Sequence, residues 1–454
     1  MNYLGAIITL LFFIALSAGL GILWWRHWVR HVQAQFLNSI KWILLEVRLP
    51  RDLFKSPLAM EMFLTSLHQG GGTSTWYAKF WDGKVRNWFS LEIASLEGDV
   101  RFFIRTNGKF KNAIESALYA QYPGIEITET EDYTNYLRYD PKEHDVWGND
   151  FALVGEDAIP IRTYVDYKLD KDPKEEFKVD PIAPLIEWMG SVKKGEQIWF
   201  QIICRAVDGK FDTWKLDAQK ALNKIYYGLE LTNDEVKEKI KEAKAELAEA
   251  RKTDEKARGN VPEAKKDSDL SYTDKQKVEA IYNNISKPGF EVMIRVAYIA
   301  DKKHFDPRNI DAATGCLRQF GHGNFNGFRP ENTTSFDFPW EDSTGIKLIV
   351  KKDEAVAKIQ KRKGFYKAHS NEDWYNGIPS GILHDVWEAF KIRFFSVDPI
   401  KAFKKPSVKD DPTRFILNTE ELATVYHFPG QVSAAPSLKR IGSTKAEPPI
   451  NLPL

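Results

Sequence analysis

Apolar and polar positions alternate with the two-residue period of a strand in WILLEVRLP, where Ile43, Leu45, Val47 and Leu49 oppose Leu44, Glu46 and Arg48. Ser56-Pro57 then supplies a cap and first turn. Leu58, Met62, Phe63 and Leu67 form the apolar stripe of a helix that ends near Gly70-Gly71-Gly72. Trp88 to Leu96 and Val100 to Thr106 read as strands joined at Glu97-Gly98-Asp99, a hairpin-type turn. A helix over Phe110 to Tyr122 is stopped by Pro123-Gly124, and IEITET gives a further strand. The order β-α-β-β-α-β predicts a ferredoxin-like split unit, with two helices on one face of an antiparallel sheet.

The same order recurs downstream with an insertion. IRTYVDY (Ile161 to Tyr167) is expected as a strand, Asp180-Pro181 caps a helix through Leu185, Trp188 and Met189, and EQIWFQIICRAV follows as a second strand. The return strand EVMIRVAYIA begins only at Glu291, and Arg308 to Phe320 supplies the last helix. Between them, 217–285 is rich in Lys, Glu and Ala. Its Glu-Lys pairs at helical spacing predict a projecting helical hairpin. The expected fold class is α+β: two ferredoxin-like modules behind an N-terminal transmembrane helix. The expected organisation is an anchor over 1–31, a first module over 32–140, a second over 141–344, a basic, aromatic helical region over 345–430, and an extended proline-rich tail over 431–454.

The anchor is read from Tyr3 to Trp25, a run without charge that is long enough to cross the hydrocarbon core as a helix. Tyr3 at one end and Trp24, Trp25 and Trp28 at the other are interfacial aromatics. Arg26 and Arg30 stand on the C-terminal side only, which predicts a single-pass protein of the cell membrane with Val32 onward in the cytoplasm. A cleaved signal peptide is the competing reading, against which stand an n-region without Lys or Arg and an apolar run longer than a normal h-region.

Composition adds constraints. The chain has 454 residues, 43% hydrophobic and 28% charged, an ordinary globular balance, and 64 Lys and Arg nearly cancel 63 Asp and Glu. There is no global basic field to recruit nucleic acid, so any such contact must be local. The basic stretch after Gly345 is where it would lie, with Lys361, Arg362 and Lys363 as the candidate contacts. Cys204 and Cys316 are too few for a disulfide framework and read as buried thiols of a reducing compartment. No segment combines glycine-permitted backbone with the lysine of a phosphate cradle, and the nine histidines are scattered. GHGNFNGFRP (Gly321 to Pro330) reads as a structural loop in preference to an anion-binding nest. No catalytic residue, cofactor or metal is expected, and the chain is not expected to be an enzyme.

Near the C-terminus, ELATVYHFPG is a helix with its stop. Asn418 caps, Glu421 reaches back, Leu417 staples onto Leu422, and Leu422, Val425 and Tyr426 share a face before Pro429-Gly430. EPPINLPL then extends the chain. LYAQYPGIEI, IPIRTYVDY, DPIAPLIEWMGSVKKGEQIWFQI, ELATVYHFPG and the terminal EPPINLP together resemble the membrane-anchored N-terminal region of type IV secretion or conjugation coupling-type ATPases. In that family the proline-rich tail leads to a nucleotide-binding motor domain, whereas this sequence stops at Leu454. The resemblance implies a non-catalytic scaffold or adaptor that anchors or assembles a separate motor ATPase, with no catalytic residue to carry over. Leu422, Tyr426, Pro448, Pro449 and Leu452 are the expected docking residues for that partner, and a homo-oligomer is consistent with the same reading. The alternative from another class is a membrane-anchored nucleic-acid-binding module.

Overall fold

The strongest alternations in the sequence become the centre of one sheet. The computed structural model describes residues 2–50, 53, 55–68, 75–137, 140, 143–171, 179–207, 214–227, 270–321, 323, 325–331 and 414–430. Helix α1 (Asn2–Ser39) leads into β1 (Trp42–Arg48), α2 (Leu58–Leu67), the short α3 (Trp76–Phe80), β2 (Phe89–Leu96), β3 (Asp99–Asn107), α4 (Lys111–Gln121) and β4 (Glu126–Thr130). Next come β5 (His144–Leu153), α5 (Ala183–Ser191), β6 (Glu196–Ala206), α6 (Trp214–Tyr227), α7 (Tyr272–Ser286), β7 (Gly289–Asp301), α8 (Arg308–Gly315) and β8 (Phe328–Glu331). The described chain closes with β9 (Phe415–Asn418) and α9 (Thr419–Val425).

The strands form a mixed α+β fold around a large antiparallel sheet of order β4-β1-β3-β2-β6-β7-β5-β8, with β9 pairing with β7. Counted by its own order of appearance, each half reads the same way outward from the middle: second, third, first, fourth. The halves join at β2 and β6, in register from Phe89 opposite Cys204 to Leu96 opposite Gln197. The expected boundary near 140 therefore separates two halves of one continuous sheet. A single hydrophobic core unites them: Leu45, Leu91, Ile93, Phe102 and Ile104 from one half meet Phe200, Ile202, Ile294 and Val296 from the other. Residues of α2, α4, α5 and α9 belong to that same core.

Two expectations are corrected. IRTYVDY is not a strand; residues 164–170 form successive turns. Its amides are taken by distant groups: Ile161 N–H donates to Glu421 Oε1 at 2.9 Å, Arg162 N–H to the Phe320 carbonyl at 2.9 Å, and Tyr164 N–H to Thr424 Oγ1 at 2.9 Å. Thr163 N–H donates to Asp166 Oδ2 at 2.8 Å, a local bond that favours the turn over a ladder. The first strand of the second half is instead β5, whose Gly148, Asn149 and Asp150 mask it by propensity.

The second correction concerns the C-terminal helix. It is capped as expected: Glu421 N–H donates to Asn418 Oδ1 at 2.8 Å and Asn418 N–H to Glu421 Oε2 at 2.9 Å, a complete capping box. It is not the end of a separate region, because β9 and α9 complete the main core. β9 pairs with β7 from Gly289 opposite Asn418 to Val292 opposite Phe415. Phe428 meets Phe102 edge-on at 5.4 Å and Tyr122 at 5.0 Å between ring centres. Asn418 Nδ2 donates to Asn284 Oδ1 at 2.9 Å, and Lys287 Nζ bridges Glu61 at 2.6 Å and Glu420 at 2.5 Å. Burial pushes the Glu421 carboxyl up to about 8, against the pull of the two backbone amides aimed at it.

The insertion begins and ends as predicted, in helices. Ala218, Ala221 and Leu222 of α6 pack with Val278 and Ile281 of α7, with Leu270 and with Ala158 from the segment after β5 in a second, smaller core, while 228–269 lie outside the described residues.

Candidate functional site

The expected docking and contact residues divide into those the core has absorbed and those beyond description. Leu422 and Tyr426, expected on a docking face, are fully buried, and the Tyr426 ring packs against Phe102 at 5.9 Å and Phe428 at 6.1 Å. Their apolar area is used inside the chain, which removes them as docking residues. Pro448, Pro449, Leu452, Lys361, Arg362 and Lys363 lie outside the described residues. The loop 321–330 is structural where described. Asn326 Oδ1 accepts from Gly155 N–H at 2.8 Å and Gly327 N–H at 3.0 Å, and its Nδ2 donates to the carbonyls of Glu156 and Ile159. Cys204 and Cys316 are free and buried, and burial pushes both thiols well above their usual range. Among the described residues, no group of three or more His, Cys, Asp and Glu could hold a metal ion.

The lower end of α1 carries an arrangement that the sequence reading missed. Among the described residues there is one helix long and apolar enough to cross a membrane, and α1 runs from it without a break almost to β1. Where the uncharged run ends, α3 lies against it. Trp25 stacks on Trp76 at 6.2 Å and touches Phe80 at 5.6 Å, and Trp28 meets Trp81 edge-on at 5.3 Å. Trp28 Nε1–H donates to the Phe80 carbonyl at 3.1 Å. Gly83, at φ +67°, lets the chain return beside α1: a Cβ there would stand 2.2 Å from the Val32 carbonyl oxygen. Further down, Leu37 packs on the small cluster of Trp88, Ile203 and Met293, so the helix is seated on the sheet itself. The local signal for α3 was WYAKFW, a dense aromatic stretch capped by Thr75, which accepts from Ala78 N–H at 3.2 Å.

The sheet face opposite the main core carries a second arrangement, a buried polar row. Glu92 on β2 lies opposite Gln201 on β6, Gln201 opposite Arg295 on β7, and Arg295 opposite Asp150 on β5. Glu92 accepts from Arg105 Nε at 2.9 Å, Tyr133 O–H at 2.7 Å, Gln201 Nε2 at 3.1 Å and the Ser90 hydroxyl. Arg105 also reaches Asp132 with Nη1 at 2.5 Å and Nη2 at 3.1 Å. Arg295 Nε donates to Gln201 Oε1 at 3.2 Å. Burial opposes the charge of Arg105, but Glu92 and Asp132 outweigh it and hold its pKa above the ordinary value. Burial likewise opposes the charge of Asp132, and the hydrogen bonds and charge of Arg105 reverse this and hold the carboxyl below the usual range. The arrangement is suited to fixing strand positions. The hydrogen bonds to Glu92 tie β2 to Arg105 on β3 and to Gln201 on β6.

Residues 30–336 match the family described as a domain of unknown function, DUF8128. The chain belongs to that family. No match is found among curated proteins. The DUF8128 region starts in the lower part of α1 and ends just after β8, so it takes in α3, Val32 and Leu37, both halves of the sheet and the polar row, while Trp25 and Trp28 precede it. β9 and α9 follow it in sequence yet fill its core. Glu291 shows the join: this DUF8128 carboxylate on β7 pairs with Arg86 at 3.0 Å, with Arg205, and with Arg414 at 3.9 Å, the last of these just before β9.

Proposed function

We propose that the chain is a non-catalytic, membrane-anchored scaffold that holds or assembles a separate motor ATPase of a translocation system of the type IV secretion or conjugation kind. The observation that carries this reading is the mount: an apolar helix continues as one rod into the folded domain and is fixed there by Trp25, Trp28, Val32 and Leu37. A helix seated in this way holds the domain at a set position, which a motor platform needs and a flexible tether does not supply. The mirrored strand order supports two ferredoxin-like split units fused edge to edge. The sequence resemblance described above supplies the class of partner.

In this reading the N-terminus is outside the cell membrane and the sheet is cytoplasmic, by the Lys and Arg bias after Trp25. A C-terminal reporter that functions only in the cytoplasm is expected to be active in the uncleaved chain; activity only of a periplasm-dependent reporter would reverse the orientation. With Leu422 and Tyr426 committed to the core, docking falls to the tail, where Pro448, Pro449 and Leu452 favour extended chain that loses little entropy on binding. Deleting Ser437 to Leu454 is expected to leave membrane insertion intact and to reduce the motor ATPase recovered with the tagged protein several-fold. Equal recovery would place the docking surface elsewhere, with the charged insertion as the next place to look.

A further inference from the structure

The aromatic cluster at α3 turns only part of its surface toward α1. Trp25 and Trp28 are half-buried, whereas Trp76, Tyr77 and Trp81 remain 61%, 62% and 40% exposed and Trp24 remains 59% exposed. A contiguous patch of large rings left in water marks a contact surface. Its position selects the partner. Trp24 and Trp25 close the uncharged run, and the helix advances only about 6 Å from Trp24 to Trp28, roughly the depth of one headgroup layer. Because α3 and Trp81 stack on those same residues, they lie at the same depth. Trp and Tyr favour that depth, since the ring is apolar while its N–H or O–H keeps a wet partner. Lys79, whose Nζ lies 5.4 Å from the Phe80 ring, carries its charge on an apolar stem suited to the same layer.

We infer that α3 and Trp81 form a second, non-spanning membrane contact that lies in the headgroup layer of the bilayer crossed by α1 and fixes the tilt of the sheet on the membrane surface. This rests on α1 being a span. The occupant is lipid, because the patch is continuous with the apolar helix and ends where its uncharged run ends. The close approach of Gly83 to Val32 makes the contact rigid: α3 cannot swing away from α1 without breaking it.

Both native thiols are buried, so an introduced surface cysteine can be labelled selectively. Full-length protein carrying Leu16→Cys, Tyr77→Cys or Lys303→Cys is coupled to a nitrobenzoxadiazole fluorophore and reconstituted in phosphatidylethanolamine and phosphatidylglycerol vesicles that carry no nitroxide lipid, acyl-chain nitroxide lipid or headgroup-region nitroxide lipid. Position 16 reports the span. Lys303 is exposed just beyond the end of β7, whose last residue Asp301 lies about 26 Å along the strand from Met293, on which the base of α1 packs. Acyl-chain nitroxide lipid is expected to remove more than half of the emission at position 16, headgroup-region nitroxide lipid more than half at position 77, and neither is expected to affect position 303. Adding Gly83→Val to the Tyr77→Cys protein is expected to at least halve the quenching at 77 and leave an equivalent Leu16→Cys protein unchanged. Quenching at 16 with none at 77 overturns the inference, as does emission at 77 that is shielded from water yet unquenched, which would assign the face to a protein contact. Undiminished quenching at 77 in the Gly83→Val protein overturns the rigid mount. No quenching at 16 overturns the span, and the lipid contact with it.

Discussion

Phe428→Ala is expected to destabilise the folded domain by about 3–5 kcal/mol, the cost of removing a buried aromatic ring whose surroundings cannot collapse into the space. Phe428 is 1% exposed and wedged between Phe102 on β3, Tyr122 after α4 and Tyr426, three rings held by different parts of the fold. For a domain of this size such a loss lowers the thermal midpoint by on the order of 10 °C, measurable by near-ultraviolet dichroism of the full chain in detergent. The contrast that gives the result its meaning is between two truncations. Deleting Ser437 to Leu454 is expected to leave the midpoint in place, because the buried run of the described C-terminal segment stops at Pro429. Deleting 414–454 is expected to abolish the cooperative transition, because it uncovers the β7 edge from Gly289 to Val292 and removes Glu421 and Thr424 from the amides of Ile161 and Tyr164. A 414–454 deletion that melts like the intact chain would show that β9 and α9 are an accessory to the sheet.

That segment also shows where sequence reasoning stops. The helix and its capping box were legible, because capping is chemistry within a few residues, although the helix closes at Val425, ahead of the expected stop at Pro429. Its destination was not legible. An apolar stripe of Leu422, Val425 and Tyr426 serves a partner's surface or the chain's own core equally well, and only the tertiary structure decides. The same limit explains the exchange of IRTYVDY for HDVWGNDFAL. The first has the alternation of a strand, but the amides of Ile161 and Tyr164 are satisfied by side chains some 260 residues away; the second carries Gly, Asn and Asp, yet lies between β7 and β8. Strands β1, β2, β3, β6 and β7 were legible because one face of each is so uniformly apolar that no local competitor exists. The polar row was hidden for the opposite reason: Glu92, Arg105, Gln201 and Arg295 look like the solvent face of alternating strands, and their burial is a property of the assembled sheet.

Arg105→Met is expected to cost about 3–5 kcal/mol at neutral pH, since it leaves the carboxylates of Glu92 and Asp132 in the interior without their cation. The pair is expensive to break and much less expensive to remove: Arg105→Met combined with Glu92→Leu is expected to be more stable than Arg105→Met alone, because the double variant no longer buries an unpaired charge at position 92. The dependence on pH separates this account from simple loss of packing. In the native chain Asp132 has a folded pKa below its unfolded value of about 4, so it contributes stability above that value and loses it as pH falls through the folded pKa. Without Arg105, only the backbone and hydroxyl hydrogen bonds from Thr134 still oppose burial, so the folded pKa of Asp132 moves up from its native position. The stability that Asp132 contributes above its unfolded value of about 4 shrinks accordingly. Urea midpoints of the native chain and the Arg105→Met variant are therefore expected to lie far apart at pH 7 and to converge below about pH 4. A gap that stays constant across that range would mean that Arg105 acts through the packing of its side chain and that the buried ion pairs contribute nothing of their own.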